Sequence, residues 1–250
     1  MSVALAVSPH LDDAAFSAGG LLAGLAARGW RVAACTVFTA SVPDPQGFAL
    51  ACQLDKGLPA DVDYLALRRA EDARALALLG VECDWLDLPE APHRGYGSAQ
   101  ALFAGPLAHD EPIVEAIADR LAGRLARIAP DLLLAPQAVG GHVDHVQVVR
   151  ALERLAPAVP ALWWTDFPYG ARAARPARPF AERFGALPAL RREPDAAARA
   201  AKRAACLAYA SQAAFQFGGE AGLDRLLAHD GGAETFAVQG APAALRGWSA

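Results

Sequence analysis

Apolar and polar positions alternate along this chain between two periods, and the switching itself predicts an order of elements. Val3 to Val7 is a short apolar run of the β type that stops at Ser8-Pro9. After Asp12 and Asp13 an Ala/Leu stripe at positions 18, 21, 22 and 25 follows helical spacing, and Gly29 suits the helix end. Arg31 to Phe38 supplies a second strand, so a βαβ unit opens the chain. Residues 39–65 carry Pro43, Pro45, Gly47, Gly57 and Pro59, which predict a long loop, followed by a helix over Ala66 to Leu79 ended by Gly80. A third strand is expected at Cys83 to Leu88, then a second long loop over 89–111. Pro112 fits the first position of a helix whose stripe runs Ile113, Ile117, Leu121, Leu125 and ends before Pro130.

The second half repeats the opening. A strand at Asp131 to Ala135 runs into the loop Pro136 to Gly141, then His142-Val143-Asp144-His145, then a helix through about Leu155. Ala161 to Thr165 reads as a fifth strand, Tyr169 to Glu193 as an irregular Pro/Arg/Ala-rich excursion, Pro194 to Ser211 as a helix, and Glu234 to Val238 as an edge strand. Strands alternating with helices predict an α/β fold: one domain over 1–250, with a mostly parallel, Rossmann-like sheet and helices on both faces. Such sheets bind ligands at the carboxyl ends of strands where the strand order reverses, and both histidine segments follow strands.

Composition narrows the function classes. The chain has 250 residues, enough to bury a real core, so a metal is not needed merely to fold it. Basic residues number 23 against 27 acidic, net −4, which argues against a nucleic-acid partner. The apolar run at the amino terminus is too short for a signal segment, and no stretch reaches the roughly 18 residues of a membrane span, so a cytoplasmic protein with no membrane partner is expected. Cys35, Cys52, Cys83 and Cys206 form no C-x-x-C pair and read as buried structural thiols. Gly19, Gly20 and Gly24 do not make a dinucleotide fingerprint and are expected to permit close helix packing. There is neither a phosphate-binding P-loop nor a G-x-S-x-G serine elbow.

Two constellations carry candidate chemistry. In Ser8-Pro9-His10-Leu11-Asp12-Asp13, an imidazole and a carboxylate three residues apart can face one ion, with Asp12 beside it; the alternative is an aspartate that only caps the next helix. His142-Val143-Asp144-His145 offers two more imidazoles, or one capping aspartate between two unremarkable histidines. Taken together, His10, Asp13 and one histidine of the second pair make the three-ligand set with an open position that hydrolytic zinc sites use. Arg68, and Arg94 and Tyr96 in the loop after strand three, are candidate substrate-binding residues. His93, His109 and His229 have no metal partners at short spacing; Trp163-Trp164 reads as core, with Asp166 to Tyr169 beyond it as pocket lining.

These residues resemble the PIG-L (LmbE-like) superfamily of zinc-dependent N-acetylglucosaminyl deacetylases. The signature pair stands here as His10-Leu11-Asp12-Asp13 and His142-Val143-Asp144-His145, with weaker echoes at Arg69, Glu71, Leu79-Gly80, Lys202, Ala205, Tyr209, Ser211, Gln212 and Glu234-Thr235-Phe236. The resemblance implies His10, Asp13 and His145 as metal ligands, Asp12 as general base and His142 as oxyanion stabiliser, with Asp144 orienting His142. It also implies a metal-dependent hydrolase removing the N-acetyl group of an amino sugar or glycoconjugate, with Zn2+, or another divalent ion such as Fe2+, as cofactor. Hydrolysis of another amide or of a phosphoester, and carbohydrate binding without catalysis, are the alternatives. The chain departs from the family pattern at Pro9, Leu11 and Ala14, and at Val143 after Gly140-Gly141, where an aromatic substrate contact of some relatives is missing; that bears on which sugar is bound.

Overall fold

The computed structural model describes residues 1–172 and 175–240. Its centre is a seven-stranded sheet made of β1 (Val3–Ser8), β2 (Arg31–Phe38), β3 (Glu82–Leu88), β4 (Leu132–Pro136), β5 (Ala161–Trp164), β6 (Ala189–Arg192) and β7 (Glu234–Gln239), in the order β3-β2-β1-β4-β5-β7-β6. β1 to β5 pair in parallel; β7 runs antiparallel to both β5 and β6. The helices are α1 (Asp13–Ala27), α2 (Gly47–Leu54), α3 (Tyr64–Leu78), α4 (Pro112–Ile128), α5 (Val143–Leu155), α6 (Tyr169–Arg172), α7 (Ala181–Gly185), α8 (Ala196–Ala208), α9 (Ala210–Phe217) and α10 (Glu220–Leu227).

The period of two in the strands sorts side chains between two cores. Ala4, Ala6, Leu132, Leu134, Leu162 and Trp164 face α1, α3 and α8, whereas Leu5, Val7, Leu133, Ala135 and Trp163 face α4 and α5. Parallel strands buried on both faces explain why β1, β2 and β4 read as continuous apolar runs rather than alternating ones. The strand order reverses between β1 and β4, where the chain leaves one side of the sheet for the other. The crevice above their carboxyl ends is where His10 and His142 emerge.

Helix α1 approaches its neighbours closely, as its small residues predict. A Cβ at Gly20 would stand 2.4 Å from Pro194 Cγ. The Glu234 carboxylate accepts the backbone N–H groups of Gly20 and Leu21 at 2.7 and 2.8 Å and pairs with Lys202 Nζ at 2.8 Å, tying α1, α8 and β7 together. Other weak sequence echoes are clamps of the same kind. Glu71 accepts from Ser211 N and Oγ, Asp72 accepts from Tyr209 Oη, and Gln212 donates to Tyr64 Oη.

Four expectations are corrected. The loop after β2 contains helix α2, because the run Phe48 to Leu54 lies between its Pro/Gly breakers and has one buried side. Glu234–Gln239 is not an edge strand: the Pro/Arg/Ala-rich excursion contains β6, which takes the edge, apart from positions 173 and 174, which lie outside the described residues. The helix expected over Pro194–Ser211 breaks at Tyr209, whose side chain is turned inward to Asp72. Of the cysteines, Cys35 and Cys206 are buried, but Cys52 is half-buried and Cys83 exposed.

Candidate metal centre

The turn between β1 and α1 is organised by Ser8. Its hydroxyl donates to His10 O at 2.7 Å and accepts the Ala14 N–H at 3.1 Å, doing the capping work at the start of α1. Asp12, at the N-cap position, makes no side-chain cap bond, so its carboxylate is free of the role the capping alternative gave it. Asp13 Oδ2 accepts the backbone N–H of His10 at 2.8 Å, folding the loop back on itself.

On the other side of the switch point, His142 is the N-cap of α5 and its Nδ1 accepts the Asp144 N–H at 3.2 Å. That hydrogen bond assigns the ring proton of neutral His142 to Nε2. One turn on, His145 points across to the first loop. The three imidazoles His10, His142 and His145 form a cluster whose ligand atoms all lie within 4.8 Å of one another. Asp13 Oδ2 stands 3.2 Å from His10 Nδ1 and 3.2 Å from His145 Nε2.

These spacings fit a metal ion. A tetrahedral zinc with ligand bonds of about 2.0–2.2 Å has ligand–ligand edges of roughly 3.3–3.6 Å, close to the two separations seen. His145 Nε2 is buried and makes no hydrogen bond; it faces only Asp13 Oδ2 at 3.2 Å, an arrangement that a cation between the two would satisfy. Two of the three imidazoles are also held from behind by carboxylates, as metal-ligating histidines are. His10 Nε2 lies 2.9 Å from Asp144 Oδ2, and His145 Nδ1 lies 2.7 Å from Asp166 Oδ1. Asp166 is 1% exposed and its other oxygen accepts the Val139 N–H at 2.8 Å, so its orientation is fixed. From sequence, Asp166 is expected only to line the pocket, and its contact with His145 is not anticipated; its position just beyond β5, next to the switch point, was the available signal.

A family model, PIG-L: GlcNAc-PI de-N-acetylase, matches residues 5–156, the span that holds both histidine loops. The chain belongs to the PIG-L family. The 2'-N-acetylparomamine deacetylase of Streptomyces fradiae is 36% identical over 168 residues, 66% of this chain, and the matched part spans 57% of that relative's length. The crystal structure of the A40926 pseudoaglycone deacetylase is 30% identical, with a TM-score of 0.77 over 94% of this chain and 96% of that one. A zinc-inhibited form of teicoplanin deacetylase is 26% identical, with a TM-score of 0.81 over 95% and 98%.

In this PIG-L chain the site opens into a cavity of about 360 Å3 lined by His10, Asp12, Asp13, Arg68, His142 and Asp144 among others. Burial pushes the Asp12 carboxyl up to about 7, against the opposing charge of Arg68, whose Nη2 lies 3.4 Å away. Arg68 also pairs with Glu90 at 2.5 Å and donates to Leu11 O at 3.1 Å, so most of its guanidinium is committed to holding the Asp12 loop. Burial holds His142 down at about 3, helped by the neighbouring His10, so its ring stays neutral.

Three residues stand elsewhere than the sequence suggested. Asp144 directs its carboxylate to His10, to the Ala91 N–H and to Arg94, and reaches His142 only through its backbone N–H. Arg94 lies behind the site, donating to Asp110 at 2.9 and 3.0 Å and to Asp144 at 2.7 Å, and Tyr96 is fully buried with its hydroxyl on Asp110. Neither lines the cavity. The aromatic wall that Gly140-Gly141 lacks is supplied from outside that loop. Phe103 stacks edge-on to His142 at 5.3 Å, and Tyr169 packs so closely over Gly140 that a Cβ there would be 2.7 Å from its ring.

Proposed function

We propose that this chain is a metal-dependent N-deacetylase that hydrolyses the acetamide of an N-acetylated amino sugar or sugar conjugate. The observation that carries the reading is Asp13 Oδ2 standing 3.2 Å from both His10 Nδ1 and His145 Nε2, with the uncapped Asp12 carboxylate next in the chain and lining the same cavity. Family membership supports it, as do relatives named as deacetylases of a paromamine derivative and of a pseudoaglycone.

His10, Asp13 and His145 would hold the ion, and a donor set of two imidazoles and a carboxylate suits zinc and ferrous iron alike. A divalent ion bound there supplies Lewis acidity for the acetamide carbonyl and lowers the pKa of water from 15.7 to about 7. Asp12, whose affinity for protons is raised by burial, accepts the proton from the attacking water and returns it to the departing amine. A base so placed is worth about 10² to 10⁴ in rate. Arg68 keeps Asp12 in register and favours its ionised form. His142 donates from Nε2 to the oxyanion as it develops; it is a neutral donor pre-oriented by the Asp144 N–H, and one such donor contributes about 10² to 10³. Phe103 and Tyr169 close the cavity around that donor and keep bulk water from competing for it.

The test is acetate release from a panel of N-acetylglucosamine conjugates by protein loaded with zinc or ferrous iron. Asp12→Asn is expected to keep its metal, measured by elemental analysis, and to lose about 10² to 10⁴ in turnover. Loaded parent protein that releases acetate from none of the conjugates overturns the reading.

A further inference from the structure

We propose that the side of the cavity built by α2 and α9 is a subsite for an apolar aglycone bearing an anionic group, and that Lys56 recognises the anion. The inference rests on the amino-sugar reading above and names which conjugate the same site selects. Elements that supply none of the candidate metal ligands form this side. Phe48, Cys52 and Lys56 recur at intervals of four along α2 and the turn after it, so they share one face, and Phe215 and Gln216 come from α9 opposite. A cavity of about 360 Å3 lies within the range of roughly 300–1,000 Å3 that holds drug-sized ligands, so it has room beyond an acetamide.

Lys56 is the unusual member of that wall. Its ammonium lies 4.8 Å from the Phe215 ring and 5.3 Å from the Tyr64 ring, and it donates to Cys52 O at 2.8 Å. Among the described residues its hydrogen-bond and ring contacts are the Cys52 carbonyl and the two rings, with no carboxylate in ion-pair contact, although the exposed Asp55 beside it also lines the cavity. The other lysine, Lys202, is paired with Glu234, and the other cation lining this cavity, Arg68, is committed to Glu90 and Asp12. An ammonium half-withdrawn from water, with donors to spare and aromatic rings about it, has no anion in contact; burial and the nearby charge of Arg68 loosen its hold on its proton by more than the more distant Glu90 and Asp12 restore. Aromatic faces at Phe48, Phe103 and Phe215 supply the apolar contact. The ligand chemistry that meets both demands is an aryl or acyl group carrying a carboxylate or phosphate, joined to the acetylated sugar whose amide sits at the histidines. A polycationic aglycone meets neither.

The experiment uses three isosteric glycosides of N-acetylglucosamine: 4-carboxyphenyl, 4-carbamoylphenyl and 4-(aminomethyl)phenyl. Turnover is read in the metal-loaded parent, and affinity by calorimetry in metal-loaded Asp12→Asn. The expected order is carboxy, then carbamoyl, then aminomethyl, with about tenfold between the first two. The carboxy-to-carbamoyl ratio is expected to collapse towards one in Lys56→Gln and to invert in Lys56→Glu. A lysine that only covers Tyr64 and Phe215 would leave that ratio unchanged on substitution, and equal affinities of the three glycosides in the parent background overturn the proposal. Turnover without charge preference refutes this inference and leaves the deacetylase reading standing; Lys56-dependent charge preference in binding without any turnover does the reverse.

Discussion

Asp166→Asn tests the claim that His145 is a metal ligand held from behind. In the parent, one carboxylate oxygen faces His145 Nδ1 at 2.7 Å and the other accepts the Val139 N–H at 2.8 Å, all of it buried. With Nε2 turned to the ion, Nδ1 carries the proton, so both neighbours of Asp166 are donors. Asparagine has the same shape but a single acceptor atom. Whichever way the amide is turned, its NH2 faces a donor, leaving one buried N–H unsatisfied at about 1–3 kcal/mol and removing the charge-assisted bond to the imidazole. Loss of such a carboxylate typically weakens metal binding about 10- to 100-fold, roughly 1.4 to 2.7 kcal/mol. Competition against a chromophoric chelator measures the dissociation constant directly. Thermal melts with and without metal then give a second reading, since the metal-induced rise in Tm shrinks as affinity falls. If the asparagine variant binds zinc and ferrous iron within threefold of the parent, His145 is not acting as a ligand through Nε2 and the proposed centre is wrong.

Other expectations follow from the same network. In metal-free protein, His10 sits at about 9 because hydrogen bonds and charge from Asp13 and Asp144 outweigh the burial that works against its ionisation. A folded pKa above the ordinary 6.5 means that this contribution to stability is complete below about pH 6.5 and is lost as the pH rises through about 9. Denaturant melts of metal-free protein between those limits should therefore show stability falling, and metal binding at pH 7.5 should release at least one proton, read by calorimetry in two buffers of different ionisation enthalpy. Zero proton release contradicts the assignment of His10 as a ligand. Arg94→Met keeps the length of the side chain but leaves Asp110 and Asp144 buried without their partner, a loss of about 3–5 kcal/mol in denaturant unfolding; Arg94→Lys should not rescue it, because one ammonium cannot reproduce the forked contacts to two carboxylates. With ion bound, kcat/KM should fall below a limb at or under pH 7, since protonating Asp12 removes the base and the ion's charge pulls its pKa down from the metal-free value; Asp12→Asn should abolish the limb along with most of the rate.

The sequence by itself determined the frame. Short runs bounded by turn residues located β1 to β5 within a residue or two at each end, and β2 at its observed bounds; β1, β2, β4 and β5 read as apolar almost throughout because both their faces are buried. The same pattern put both histidine loops at strand ends, and the crossover order brought those ends to one crevice. Tertiary structure alone decided which partner each polar group takes. Asp144 reaches His10 across 134 positions of chain rather than the nearby ring of His142, Arg94 is drawn behind the site by Asp110 and Asp144, and Asp166 backs His145. Hydrophobic periodicity reports which face of an element is buried, a property each segment carries locally. A hydrogen bond depends on where two distant backbones halt within about 3 Å of one another, and only the packed sheet and its helices fix that.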